Sequence, residues 1–318
     1  MKLPEFTDIE KAHELIKPFI HRTPVLTSIS INEMTGGDLY FKCENLQKVG
    51  AFKFRGACNA VFSLTDEQAA HGVCTHSSGN HAAALALAAR MRGIPAYIVM
   101  PETAPEIKKK AVEGYGAEIT FCQPTLEARE TTLARVAEKT GAIEIHPYNN
   151  IQVICGQGTA AKELIEDAGR FDILLCPIGG GGLLSGTAIT GRAMNPKGLV
   201  IAAEPEGADD ACRSFHANKL IPSINPKTIA DGLLTSVGEI NFRIIRRKTD
   251  EIVTVSERGI VRAMRLVWER MKIIIEPSSA VPLAAILENK VDVRGKKVGI
   301  ILSGGNVDLE KLPFHELL

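Results

Sequence analysis

The chain has 318 residues, 45% hydrophobic and 23% charged, and its 37 Lys and Arg balance its 37 Asp and Glu. That balance offers no basic surface for nucleic acid, no run of about 18 apolar residues is present to span a membrane, and Met1-Lys2-Leu3-Pro4-Glu5 lacks an apolar signal core. The length suffices for a large core divided between two domains.

Strands are expected at 38–43, 72–75, 96–100, 118–122, 142–145, 173–177, 199–203 and 298–302, where short apolar runs end at turn residues. Helices are expected at 9–19, 55–63, 80–90, 105–115, 125–140, 158–167, 184–194, 257–272 and 278–287. Strand and helix alternate throughout, which predicts an α/β fold with largely parallel sheets. Segment 66–147 carries its own strand–helix units. A small domain of residues 69–147 is therefore expected within a large one of residues 1–68 and 148–318. The seven cysteines, Cys43, Cys58, Cys74, Cys122, Cys155, Cys176 and Cys212, form no CxxC pair. They read as reduced thiols of a reducing compartment, so a cytoplasmic location is expected.

Ligands of parallel sheets bind beyond the carboxyl ends of strands. Three motifs fall there. In Ile178-Gly179-Gly180-Gly181-Gly182-Leu183, glycines after a buried strand let backbone amides approach a phosphate, and the following helix adds its positive end. The loop matches neither GxGxxG with an acidic partner nor a P-loop. In Thr75-His76-Ser77-Ser78-Gly79-Asn80-His81, a strand end leads into a helix start. Its hydroxyls can cap that helix, and its free amides can hold a carboxylate. Ser303, after the apolar run 298–302, can turn the chain or bond a pyridine nitrogen without protonating it. An aspartate there would stabilise a pyridinium; serine predicts a weaker electron sink, suited to β-elimination rather than transamination.

Lys53 stands in Gly50-Ala51-Phe52-Lys53-Phe54-Arg55-Gly56-Ala57. A lone lysine is ordinarily solvated. Here Phe52 can stack on a ring, and burial would depress the amine pKa. An amine for an aldehyde, a phosphate cradle and a hydroxyl for a ring nitrogen are the protein's parts for holding pyridoxal phosphate. Ala203-Glu204-Pro205-Glu206-Gly207-Ala208-Asp209-Asp210 gathers carboxylates that suit Mg²⁺ or Ca²⁺. On spacing alone it reads as a solvated acidic loop, since it departs from the EF-hand pattern.

Taken together these segments resemble the β-family (fold type II) of pyridoxal-phosphate enzymes, and within it the serine racemase and serine/threonine dehydratase group. Phe41-Lys42-Cys43-Glu44-Asn45, Gly156-Gln157-Gly158-Thr159, Thr228-Ile229-Ala230-Asp231-Gly232 and Glu269-Arg270-Met271-Lys272 extend the likeness over nearly the whole chain. Ala51 departs from it, standing where many relatives have serine. The resemblance implies two open, twisted, mainly parallel sheets flanked by helices. The sequence ends soon after Ser303, so the C-terminal regulatory domain of biosynthetic threonine dehydratases is not expected. It implies that Lys53 carries the cofactor and acts as one base, with Ser78 as the second base on the opposite face. Gly179, Gly180, Gly181, Gly182 and Leu183 would bind the phosphate. Asn80 would meet the ring hydroxyl and Ser303 the ring nitrogen, with Phe52 and Gly232 flanking the ring. Ser77, Ser78, Asn80 and His81 would grip the substrate carboxylate, with Tyr148 and Thr235 near its side chain. Glu204, the Ala208 carbonyl and Asp210 match the group's divalent-cation site, which replaces the solvated-loop reading. The implied activity is serine racemisation with elimination to pyruvate and ammonia. The alternatives are a threonine/serine ammonia-lyase, a 3-hydroxyaspartate dehydratase, or a metal- or nucleotide-sensing protein with a vestigial site. A homodimer is implied, as is ATP activation at a subunit interface through Lys48, Lys108 and Tyr115.

Overall fold

Ten short strands divide between two sheets in the computed structural model, which describes residues 2–104 and 106–315. They are β1 (Val25–Thr27), β2 (Asp38–Cys43), β3 (Val73–His76), β4 (Ala96–Pro101), β5 (Glu118–Cys122), β6 (Ile143–Glu144), β7 (Ile173–Pro177), β8 (Leu199–Pro205), β9 (Glu251–Val255) and β10 (Lys297–Leu302). The first sheet runs β1-β2-β10-β7-β8-β9 and the second β5-β4-β3-β6. Every pairing is parallel except β1 with β2. Buried strands β7 and β10 carry almost no polar side chain because helices cover both faces of the sheet.

The last strand in sequence lies in the middle of its sheet. Val298 of β10 pairs with Leu39 of β2 on one side and Ile173 of β7 on the other. The residues that follow β2, β7 and β10 therefore emerge side by side at one edge, and these are the stretches that hold Lys53, the four glycines and Ser303.

The second sheet packs on helix Asn80–Arg92, whose run of alanines permits close approach, and that helix packs in turn on helix Lys53–Phe62. Phe54, Ala57, Cys58 and Val61 share one apolar cluster with Ala82, Leu85 and Ala89. The helix that starts at Lys53 thus touches both layers.

Two strands and several short helices were not expected. β1 is only three residues long, and β9 (Glu-Ile-Val-Thr-Val) has a single pair of buried positions. Helix Ile151–Ala168 begins seven residues before its expected start at 158. Ile151, Val153, Gly156 and Gly158 argue locally against a helix, but the Asn150 side chain caps it by accepting from the amides of Gln152 and Val153. A Cβ at Gly156 would lie 2.4 Å from the Arg55 carbonyl oxygen, so close helix packing requires that glycine. The helix expected at 105–115 is observed as Glu106–Gly114, and Pro105 lies outside the described residues. All seven cysteines are unpaired, and among the described residues no helix is long and apolar enough to cross a membrane.

A buried charge cluster fixes the start of helix Lys53–Phe62. Arg55 Nε donates to Glu44 Oε2 at 2.7 Å, and its Nη1 and Nη2 donate to Glu163 Oε1 and Oε2 at 2.9 and 2.7 Å. Lys42 Nζ donates to Glu163 Oε2 and to the Thr23 carbonyl, both at 2.7 Å. All four charged side chains are buried. Burial pushes the Glu163 carboxyl up, but hydrogen bonds from His13 and Arg55 outweigh it and hold the group well below the usual range.

Candidate active site

Lys53 is the first residue of its helix, and its Nζ donates to the Pro147 carbonyl at 2.9 Å. The ammonium lies 5.2 Å from the centroid of the Phe52 ring and 5.9 Å from that of Tyr148. Burial lowers its pKa to about 8, with Glu276 opposing the shift. An amine that is partly neutral near physiological pH can act as nucleophile or base.

The Phe52 amide donates to the Ser303 carbonyl at 2.9 Å, and Ala51 bridges to Gly304. These contacts bring the lysine and serine motifs together from opposite ends of the chain. Ser303 is buried, with its Oγ 3.1 Å from Ser279 Oγ; Ser279 also donates to the Gly304 carbonyl at 2.6 Å.

The four glycines join β7 to helix Gly182–Met194, with Gly181 as its N-cap at φ +91°. A Cβ at Gly180 would fall 2.3–2.5 Å from ring atoms of Tyr148, so the ring lies directly on the loop. Asn241 clamps the same loop. Its Nδ2 donates to the Gly180 carbonyl at 2.8 Å and the Tyr148 carbonyl at 3.0 Å, and its Oδ1 accepts from Ser185 at 2.9 Å. The first amides of the helix, including that of Leu183, have no intrahelical acceptor and suit an anion.

From the second sheet, Ser77 donates its amide to the Val99 carbonyl and its Oγ accepts from the Gly79 amide at 3.3 Å. Ser78 is half-buried in the same turn. Asn80 and His81 open helix Asn80–Arg92. The His81 ring is buried with Nε2 3.1 Å from the Ile145 carbonyl, and burial pulls its pKa to about 3. It is therefore neutral, and only its backbone amide is available to a carboxylate. Asn80 Nδ2 reaches Glu276 Oε1 and Oε2 at 3.0 and 3.1 Å. The Gly232 amide donates to Ser278 Oγ at 3.2 Å. Burial pushes the Tyr148 phenol up, and Thr235 at its hydroxyl opposes that shift.

Glu204 and Asp210 lie at the end of β8 and the start of helix Asp210–His216. Glu204 accepts from the amides of Ala211 and Cys212 at 3.3 and 2.6 Å, and Asp210 from Val237 at 3.0 Å. Burial pushes the two carboxyls up to about 9 and about 6. The nearby Arg213 pairs with Asp209 instead. Two buried carboxylates without a cation are the donor chemistry a hard divalent ion would satisfy. No cluster of three or more His, Cys, Asp or Glu ready for a metal exists among the described residues.

The model of the family described as "Pyridoxal-phosphate dependent enzyme" matches residues 16–304. The chain belongs to that family. A β-hydroxyaspartate dehydratase of Paracoccus denitrificans is 54% identical, covering 99% of this chain and 100% of the relative. A serine racemase of Dictyostelium discoideum is also 54% identical, covering 96% and 95%. The crystal structure of the Dictyostelium racemase superposes with a TM-score of 0.93, covering 96% of this chain and 99% of that one. The fold is accordingly the fold type II arrangement of two mainly parallel sheets.

The residues around the cleft fit the family's cofactor. Lys53 supplies a half-buried amine, the glycine loop free amides at a helix start, and Ser303 a buried hydroxyl. Sequence reasoning missed Glu276, Asn241 and Pro147. Glu276 precedes Pro277 and an apolar helix, so it reads as a cap. Nothing local in Asn241 announces a loop 61 residues away.

Lys108, expected at a nucleotide site, donates to Asp231 Oδ2 at 2.5 Å. Lys48 lies 5.8 Å from the centroid of the Phe54 ring, and Tyr115 packs on the apolar cluster under the second sheet.

Proposed function

We propose that the protein is a pyridoxal-phosphate-dependent serine racemase that interconverts L- and D-serine and also eliminates water from serine to yield pyruvate and ammonia. The observation that carries this reading is the convergence of Lys53 and Ser303 through the Phe52–Ser303 backbone bond, with the Ser77–His81 turn tied to the same segment by the hydrogen bond from Asn306 Nδ2 to Asn80 Oδ1. Pyridoxal phosphate, when bound, supplies an electron sink that acidifies the substrate α-proton.

The chain's own residues do the rest. Amides at Gly179 to Leu183 hold the phosphate, Ser303 faces the ring nitrogen, and Phe52 and Gly232 flank the ring. Ser77, Ser78 and the amides of Asn80 and His81 grip the substrate carboxylate, with Tyr148 and Thr235 beside its side chain. Lys53 removes the α-proton from one face. Ser78 returns a proton to the other face, which inverts the centre. Loss of the β-hydroxyl instead leads to pyruvate and ammonia. Closure of the smaller unit, residues 69–147, on the larger would exclude water. Glu204, the Ala208 carbonyl and Asp210 would hold Mg²⁺ or Ca²⁺. A homodimer is the proposed assembly, with ATP as an activator.

The Paracoccus relative favours a second reading, dehydration of a 3-hydroxyaspartate with little racemisation. The Ser78→Ala variant separates the two parts of the proposal. D-serine formation from L-serine should fall by about 10²–10⁴, the range for losing a positioned acid–base group. Pyruvate formation, which needs only the Lys53 face, should change far less. Equal loss of both products would remove Ser78 from the role of second base.

A further inference from the structure

Glu276 is a carboxylate buried between the two sheets, and the roles assigned above do not use it. It precedes helix Pro277–Leu287 and is 4% exposed. No Lys, Arg or His pairs with it among the described residues. Its oxygens instead accept from Asn80 Nδ2 at 3.0 and 3.1 Å, and Oε2 also accepts from the Asn306 amide at 3.2 Å. Gly304 lies against it, since a Cβ there would be 2.7 Å from Oε1.

The orientation of Asn80 follows from its neighbours. Asn306 Nδ2 donates to the Val49 carbonyl at 2.7 Å, which can only accept, so the Asn306 amide has one orientation. The same Nδ2 donates to Asn80 Oδ1 at 2.9 Å. Asn80 must then turn its nitrogen to Glu276. A carboxylate bridging one N–H leaves the second hydrogen of Nδ2 for a ligand.

We infer that Glu276 is a positioning residue: reaching from the first sheet, its carboxylate fixes the Asn80 amide on the second so that Asn80 presents an N–H, not its oxygen, to the cleft. The inference rests on reading the cleft as a pyridoxal-phosphate site, where Asn80 meets the ring hydroxyl. The ring oxygen must then accept from Asn80. The same contact ties the two sheets at the cleft floor, as Lys108 and Asp231 tie them at the rim.

The state of Glu276 controls this arrangement, because a carboxylate only accepts whereas a carboxyl also donates. Burial, followed by repulsion from Asp231, pushes its pKa up to about 7, while the Asn80 and Asn306 hydrogen bonds and Lys108 oppose the rise. Lys53 is the other charge facing it.

The test compares wild type, Glu276→Gln and Glu276→Asp, each reconstituted with pyridoxal phosphate. Visible circular dichroism of the bound cofactor reports how its ring is held, and melting of each apoprotein reports folding. The wild-type signal should lose amplitude as the pH falls through neutrality. In Glu276→Gln the signal should be weak and without that inflection, with the cofactor dissociation constant raised about tenfold, the scale of one lost buried hydrogen bond. Glu276→Asp keeps the charge and should recover much of the amplitude. Should Glu276→Gln fold poorly, Asn306→Ala, which frees the oxygen of Asn80, should weaken the signal in the same way. A Gln variant with the wild-type signal and inflection would overturn the inference. So would equal loss in Gln and Asp variants together with lowered apoprotein melting, the mark of a purely structural residue. Failure of the wild-type protein to take up pyridoxal phosphate would overturn the reading of the cleft, and this inference with it.

Discussion

Lys53→Ala should abolish both D-serine and pyruvate formation, by at least about a thousandfold, and remove the visible absorbance of lysine-linked cofactor. Acid–base catalysis by a positioned group alone contributes about 10²–10⁴, and this amine also anchors the cofactor in the proposed mechanism. Its setting explains why no neighbour replaces it. Lys53 Nζ lies against the Pro147 carbonyl and the rings of Phe52 and Tyr148, and His81 has its ring nitrogen at the Ile145 carbonyl. The pH behaviour has a definite sign. A lysine whose folded pKa is lowered from about 10.4 to about 8 disfavours folding below pH 8. That penalty fades as the pH rises toward the unfolded value. Removing the amine therefore relieves a burial cost at neutral pH, and the apoprotein variant should melt as cooperatively as wild type. In the wild-type apoprotein, labelling of Lys53 by an amine-selective reagent should rise through an inflection near pH 8, whereas exposed lysines should rise only near their ordinary pKa. Retained turnover in the alanine variant would remove Lys53 from the mechanism.

Arg55→Ala should destabilise the protein by about 3–5 kcal/mol, the cost of stranding one partner of a buried charge pair. Arg55 supplies bonds to both Glu44 and Glu163, and Lys42 alone cannot neutralise the two carboxylates that remain. Lysine in its place would keep the charge but lose the planar fork that engages both partners. The pH dependence again has a sign. In wild type, Glu163 is held below its ordinary value, so its contribution is present above about pH 4.3 and is lost as the pH falls through the lower folded value. In the variant the stranded carboxylates should take up protons, so the gap between the two proteins should narrow as the pH drops toward 5. Urea unfolding at two pH values measures this. A loss below about 1 kcal/mol, the scale of an exposed pair, would mean that the cluster is not the anchor of the Lys53 helix.

The legible parts of this chain are those in which chemistry and local pattern coincide. The glycine loop, Ser303 and the Ser77–His81 turn each follow a short apolar run; parallel strands of one sheet place the first two ends together, and the turn ends a strand of the other sheet. Strands 38–43, 118–122 and 173–177 were expected with the bounds observed. Elements decided by tertiary contact were less legible. Gly156 and Gly158 look like helix breakers until Arg55 and Gly186 are seen against them. The charge cluster joins Arg55 to a glutamate 108 residues away, and Asn80 to Glu276 spans 196. No spacing rule reaches that far. Glu204 and Asp210 read as a solvated loop on spacing alone, whereas the fold buries both.

The proposed activity is tested most directly by incubating the purified protein with L-serine, pyridoxal phosphate and Mg²⁺, and resolving the amino-acid enantiomers and pyruvate in the same tube. D-serine should appear above the enzyme-free control, accompanied by pyruvate. Pyruvate without D-serine would contradict racemisation and leave a dehydratase, with 3-hydroxyaspartate the next substrate to offer.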